Sequence, residues 1–155
     1  MAKIGQGIQI ALSWVPGKNG SISPGAISVE NDIYVARRKY EDEWIPGKLV
    51  TGYQTCYCPL DGRELESSEY EVLCDTCLPN SKKCYAWEKA SGGEVPKKAI
   101  VAGISNGKPL YIAKGPVYEE MCVGKVQEGQ EFACLPWGGE EHRVKDYEVL
   151  VFKKK

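Results

Sequence analysis

The chain is poor in histidine: His142 stands alone, and no Ser or Cys motif accompanies it to make a nucleophile pair. Charge of one sign is equally lacking. The 20 basic and 21 acidic residues are interspersed and leave a net charge of −1, so there is no field to hold a polyanion or an anionic bilayer. Nucleic acid is therefore not an expected partner. No stretch approaches the ~20 apolar residues of a membrane span, so membrane insertion is not expected either. The amino-terminal MAKIGQGIQIALSWVPGKNG contains only a broken apolar run, too interrupted for the core of a signal peptide. The expected location is the cytosol, with release only by a non-classical route. A Gly-rich phosphate loop and a calcium-binding EF-hand loop are both missing.

What the chain does have is itself twice. Residues 33–73 and 110–150 align without a gap at an offset of 77 residues and agree at 13 of 41 positions, where roughly two or three matches would arise by chance. Tyr34 falls on Tyr111, Gly47-Lys48 on Gly124-Lys125, Gly62 and Glu64 on Gly139 and Glu141, and Tyr70–Leu73 on Tyr147–Leu150. Upstream, with small gaps, Trp14, Pro24, Ala26 and Ile27 correspond to Trp87, Pro96, Ala99 and Ile100. Two copies are too few for a solenoid. Packing of two similar halves about a pseudo-two-fold axis is the simpler expectation, and it predicts paired sites. The expected division is residues 1–74 for the first repeat with its amino-terminal strand, 75–86 for a connector and 87–155 for the second repeat.

Apolar residues recur at a period of two, and no helical period of useful length is found. Ile8, Ile10, Leu12 and Trp14 alternate with polar or small residues, as in a strand with one buried face. VPGKNGSISPG then reads as a loop. IYVARR (33–38) with LYIAK (110–114), KLVTGYQTCYC (48–58) with KVQEGQEFACL (125–135), and YEVLC (70–74) with YEVLVF (147–152) read as strands bounded by Gly and Pro. The expected fold is all-β and antiparallel. VAGISNGKPLY in the second copy replaces the shorter SVENDIY of the first, so the two sites should be similar without being identical.

The order Trp, Pro, Ala-Ile, Ala-Gly, Asn-Gly, L-Y-I-A-K, G-K-V, P-x-G-G-x-E and Y-E-V-L resembles the DM-nine repeat family, which occurs as tandem pairs in invertebrate proteins and at the front of natterin-like proteins. The likeness runs from Trp14 to Phe152. It implies a pair of pseudo-symmetric β-rich halves, a homodimer, and binding of mannose or high-mannose glycans, because bivalve members of about this size are mannose-binding lectins that recognise microbial glycans. Natterin-like proteins add a pore-forming module, for which these 155 residues leave no room. The resemblance further implies an acidic residue on the loop after the Ala-Gly pair. Here the second copy has Ile104 and Ser105, whereas the first has Glu30, Asn31 and Asp32, so the first-copy site is expected to be the more competent.

The residues themselves point the same way. A sugar site needs donors and acceptors that straddle adjacent hydroxyls, with an apolar surface for the C–H face of the ring. A carboxylate beside a cation makes charge-assisted bonds to a vicinal diol. Both copies retain such groups: Lys48 and Lys125, Glu64 and Glu141, Glu43 and Glu120, and the cations Arg37 and Lys114. With Asp32 these are the candidate sugar-binding residues. Structural ion pairs are the plain alternative for the Lys and Glu set, and strand-edge protection for Arg37 and Lys114. Trp44 and Trp137 are candidate stacking surfaces, with a role as core anchors the alternative. Glu71 and Glu148 read as the solvent face of a strand.

Cys56, Cys58, Cys74 and Cys77 have a spacing that suits tetrahedral zinc. The second-copy counterparts of Cys56, Cys58 and Cys74 are Ala133, Leu135 and Val151, however, so cysteine exchanges here with apolar residues. That is the behaviour of a small buried hydrophobe. Paired glycosidase carboxylates would have to come from Glu43, Glu64, Glu120 and Glu141, and their separation would decide such chemistry. The expectation is a calcium-independent, non-catalytic lectin without cofactor. The competing one is a zinc-stabilised intracellular interaction module built on the cysteines.

Overall fold

The computed structural model describes residues 12–75 and 84–153, so Ile8, Ile10 and Cys77 lie outside the described residues. All fourteen regular elements among them are strands. The first copy contributes β1 (Leu12–Lys18), β2 (Ser28–Glu30), β3 (Ile33–Tyr40), β4 (Glu43–Val50), β5 (Cys56–Leu60), β6 (Arg63–Ser67) and β7 (Glu69–Asp75). The second contributes β8 (Tyr85–Ser91), β9 (Val101–Ser105), β10 (Lys108–Val117), β11 (Glu120–Val126), β12 (Ala133–Trp137), β13 (Glu140–Val144) and β14 (Asp146–Phe152). They pair in the order β1-β7-β3-β4-β5-β6-β13-β12-β11-β10-β14-β8, with β2 on β3 and β9 on β10. The second half of that order is the first half reversed. This is the signature of a pseudo-two-fold axis passing between β6 and β13.

The axis is visible in individual bonds. Ile27 N donates to Leu73 O at 2.9 Å and Ile100 N to Leu150 O at 3.0 Å. Ala26 bridges Cys74 as Ala99 bridges Val151. At the junction the exchange is reciprocal, Glu64 N donating to Gly139 O and Glu141 N to Gly62 O, both at 3.0 Å. The halves also share a core, in which Ile27, Val29, Val35 and Leu73 pack with Ala102, Ile112, Val123 and Leu150. Period-two patterning gives each strand one apolar face, and neither copy alone can cover that face.

The strand assignments from sequence hold at the repeat cores and fail at two turns. KLVTGYQTCYC is two strands, since β4 ends at Val50, Gly52 turns at φ 90°, and β5 begins at Cys56. Its partner 125–135 is broken in the same way before Ala133, with Gly129 at φ 96°. Conversely, Pro16 and Gly17 were expected in a loop but belong to β1, paired with Glu71 and Tyr70. Among the described residues β1 stands at one end of the sheet order, and an end strand tolerates a proline because one of its edges needs no donor.

The glycine of each Gly-Lys pair has a steric role. A methyl on Gly124 would collide with the carbonyl oxygen of Cys134, and one on Gly47 with that of Tyr57. These close strand crossings admit no side chain, and they aim the following lysine to one side. Gly124→Ala is expected to lower unfolding stability by roughly 1–3 kcal/mol. Gly115→Ala, whose new methyl meets the tip of Leu135 at 3.3 Å and the carbonyl oxygen of Asp146 at an ordinary 3.7 Å, should cost less. Urea midpoints of the two variants provide the check, and equal midpoints would contradict the crossing argument.

Candidate functional site

Two clefts flank the junction, and each draws on both copies. The first, of about 520 Å³, holds Lys48 and Glu64 from the first copy together with Glu120 and Trp137 from the second. The second, of about 390 Å³, holds Lys125 and Glu141 with Asp61 and Gly62 from the first copy. The retained Lys and Glu residues therefore do come together, copy by copy. Their setting is not what independent repeats would give, because the floor of each cleft is the other copy's turn.

The glutamates have a structural duty as well. Glu64 Oε1 accepts from Gly139 N at 2.8 Å and Glu141 Oε1 from Gly62 N at 3.2 Å, so each carboxylate caps the opposite copy's Gly turn. The lysines then differ. Lys125 Nζ lies 3.5 Å from Glu141 Oε2, with both side chains largely buried. Lys48 forms no ion pair among the described residues; its ammonium rests 3.4 Å from Cys122 Sγ, inside the cleft. One duplicate is self-neutralised and the other keeps its charge available.

The surroundings differ too. Lys48 shares its cleft with Glu30, Glu64, Glu119 and Glu120, four carboxylates to one ammonium, which disfavours an anionic ligand. Tyr53 and Tyr57, in edge contact at 6.0 Å, form one wall. Their second-copy counterparts are Gln130 and Cys134. Glu120 Oε2 accepts from Trp137 Nε1 at 2.6 Å, fixing the indole at the opposite side. Glu43 instead reaches the second copy's turn, where it accepts from Asn106 N at 3.1 Å beside the smaller cleft.

Other expected site residues lie elsewhere. Arg37 is fully engaged: Trp14 and Trp44 stack on its guanidinium at 4.2 and 4.5 Å, Glu71 accepts from Nε and Nη2, and Ala102 O accepts from Nη1 at 2.7 Å. It ties the copies together and does not face a cleft. Glu71, expected on the solvent face, is thus an ion-pair partner with its side chain only 20% exposed. Lys114 lies over Trp87 at 4.7 Å, the second-copy version of Arg37 on Trp14. Asp32 occupies a turn at φ 63°, and it is Glu30, two residues earlier, that lines the cleft. Of the aromatic residues, the sequence reading weighed Trp137 and passed over Tyr53 and Tyr57. Their signal was the loss of both rings in the second copy.

Cys56, Cys58 and Cys74 sit in one apolar cluster with Leu60, Tyr70 and Val72, and Cys56 Sγ is 4.0 Å from Cys58 Sγ. Among the described residues no three His, Cys, Asp or Glu side chains are placed to hold a metal, and Cys77 lies outside them.

The DM9 repeat pattern matches residues 28–144, three quarters of the chain and both copies. The chain belongs to the DM9 repeat family. It is 30% identical over 145 residues to Natterin-4 and 41% identical over 137 residues to Natterin-3, both from Thalassophryne nattereri. These alignments take in 90% and 84% of the chain but only 33% and 34% of the natterins, so the DM9 pair spans about a third of their length. Among solved structures, the nematode sperm cell motility protein MFP2B superposes with a TM-score of 0.67 at 15% identity, over 93% of this chain and 45% of that one. That likeness establishes the fold alone. The chain is thus an all-β, antiparallel protein of the DM9 repeat family.

Burial, and after it the charge of Glu141, pushes the Cys134 thiol up from 9.0 to about 12. A folded value above the unfolded one means that Cys134 adds stability fully present below pH 9 and lost as pH rises towards 12. Denaturant midpoints should therefore fall more steeply between pH 9 and 12 for the native protein than for Cys134→Ala. Identical slopes would place the thiol in a wetter environment than the one described.

Proposed function

We propose that this DM9-repeat protein is a calcium-independent lectin without catalytic activity, which takes a mannose-type sugar in the Lys48 cleft. The observation that carries the reading is Lys48 itself: an ammonium that no carboxylate of the described residues neutralises, in a cleft of ligand size that offers both acceptors and aromatic walls. Glu30, Glu64 and Glu120 provide acceptors for hydroxyl donors, and Lys48 donates to a hydroxyl oxygen. Tyr57 and Trp137 offer apolar surface to the C–H face of a pyranose. The excess of carboxylates favours a neutral polyol over a phosphorylated or acidic sugar.

The smaller cleft fits less well, because its lysine is already paired with Glu141 and its aromatic wall is gone. One competent site per chain follows. A homodimer, as the family resemblance implies, would raise avidity on a glycan-coated microbial surface by making the second contact intramolecular. In this reading the protein works from the cytosol or after non-classical release.

The test is a glycan array run in the presence of a chelator, followed by calorimetric titration with mannose. Expected are signals on mannose-terminated glycans and about one sugar bound per chain. Lys48→Ala should weaken binding at least roughly tenfold with the circular dichroism spectrum unchanged, the scale of losing a charge-assisted hydrogen bond. Lys125→Ala should bind as the native protein does. A blank array would remove the lectin reading; undiminished binding by Lys48→Ala would remove the site while leaving the activity.

A further inference from the structure

The second copy carries an aromatic cluster just outside the Lys48 cleft that the first copy lacks. Tyr118, 70% exposed, packs against Trp137 with ring centroids 4.7 Å apart and planes tilted by 58°, and His142 contacts both rings edge-on at 5.7 and 6.0 Å. His142 is held by Trp137 O at 3.0 Å, and the indole by Glu120, so the platform beneath Tyr118 is fixed. The counterparts of Tyr118, Trp137 and His142 are Glu41, Leu60 and Leu65. Duplication therefore does not explain the cluster.

The hairpin turn itself is shared with the first copy, where Glu41, the counterpart of Tyr118, also has a positive φ of 55°; what is new is the aromatic ring placed on it. Val117 pairs with Glu120, so Tyr118-Glu119 is a two-residue hairpin loop, and both residues have positive φ, 49° and 67°. Such a turn favours Asn-Gly, and an aromatic ring in the left-handed region is unfavourable for folding. The turn nevertheless places Tyr118 on the solvent side of Trp137 and Glu119 on the cleft side, where it is a lining residue. An exposed ring held at a conformational cost, continuous with a cleft wall, has the layout of a ligand contact.

We infer that Tyr118 and Trp137 form a second sugar subsite, which stacks the next pyranose of a glycan whose terminal residue occupies the Lys48 cleft. The inference rests on the lectin reading and extends it from a monosaccharide to an oligosaccharide. Trp137 serves both positions, as wall of the cleft and floor of the platform. Tyr118 touches only the second ring, so its removal separates the two subsites.

Calorimetric titrations with methyl α-mannoside and with a linear mannotriose, on the native protein, Tyr118→Asn and Tyr118→Phe, make the test. Asn suits a left-handed turn position and keeps the hairpin, while Phe keeps the ring. Expected is native binding of the trisaccharide roughly tenfold tighter than of the monosaccharide, the scale of one well-placed aromatic contact. Tyr118→Asn should lose that gain and leave monosaccharide affinity unchanged, and Tyr118→Phe should retain it. If the native protein gains nothing from the longer sugar, or Tyr118→Asn keeps the gain, the subsite is refuted and the lectin reading survives. Loss of monosaccharide binding in Tyr118→Asn would likewise refute it, by placing Tyr118 in the first site. Native protein that binds neither sugar would refute both.

Discussion

The reciprocal exchange at Gly62, Glu64, Gly139 and Glu141 is the constraint on which the rest depends. Two backbone bonds at 3.0 Å join β6 to β13, and two carboxylates cap the glycine amides of the opposite copy at 2.8 and 3.2 Å. A charged acceptor on a backbone donor makes a stronger hydrogen bond than a neutral pair does. It also fixes orientation: each glutamate is held by the other copy while lining a cleft that the other copy closes. Register across the junction and geometry within the clefts are therefore one problem. Between the halves, Arg37 adds a tie of a different kind, stacked between two tryptophans and bonded to a carbonyl of the second copy.

From this follows the composite nature of the sites. A single copy has a Gly-Lys crossing and a glutamate but no floor to its cleft, because the turn of the partner copy provides it. Gly47 and Gly124 let β4 approach β5 and β11 approach β12 closely enough that Lys48 and Lys125 project towards the junction instead of along the sheet. Fusion of two copies in one chain then allows each cleft to diverge without disturbing the shared core of Val35, Leu73, Ile112 and Leu150.

The duplication, the strand period and the pairing of Lys with Glu were legible in the sequence because each leaves a regular mark: an offset of 77, alternation of faces, and charges kept in both copies. The duplication also exposed the cysteines as core residues, through their exchange with Ala, Leu and Val. Arg37 and Glu71 were not legible. Their burial comes from Trp14 and Trp44, which reach them from β1 and from the neighbouring β4, and no local pattern announces a guanidinium held between rings. Tyr53, Tyr57 and Tyr118 escaped for the opposite reason. They are absent from the other copy, and a reading that follows what the copies share passes over what only one of them has.

That asymmetry explains why similar clefts should not act alike. In the second copy the lysine has drawn its own glutamate to 3.5 Å, Arg143 stacks on Phe132 at 4.5 Å, and Gln127 donates to Ser105 O and Lys108 O. These groups already have partners within the protein, and a ligand that used them would have to displace bonds already made. In the first copy Glu64 is held to Gly139, Lys48 has the Cys122 thiol as its hydrogen-bond partner, and two tyrosines line the cleft where the second copy has a glutamine and a cysteine. Burial raises the Cys122 thiol against the opposing pull of Lys48, so the sulfur beside the ammonium is held in its neutral form. Two sites of common origin thus separate by the fate of one lysine: ion-paired with Glu141 in the second copy, and in the first left without an ion pair among the described residues, its ammonium bonded to a thiol.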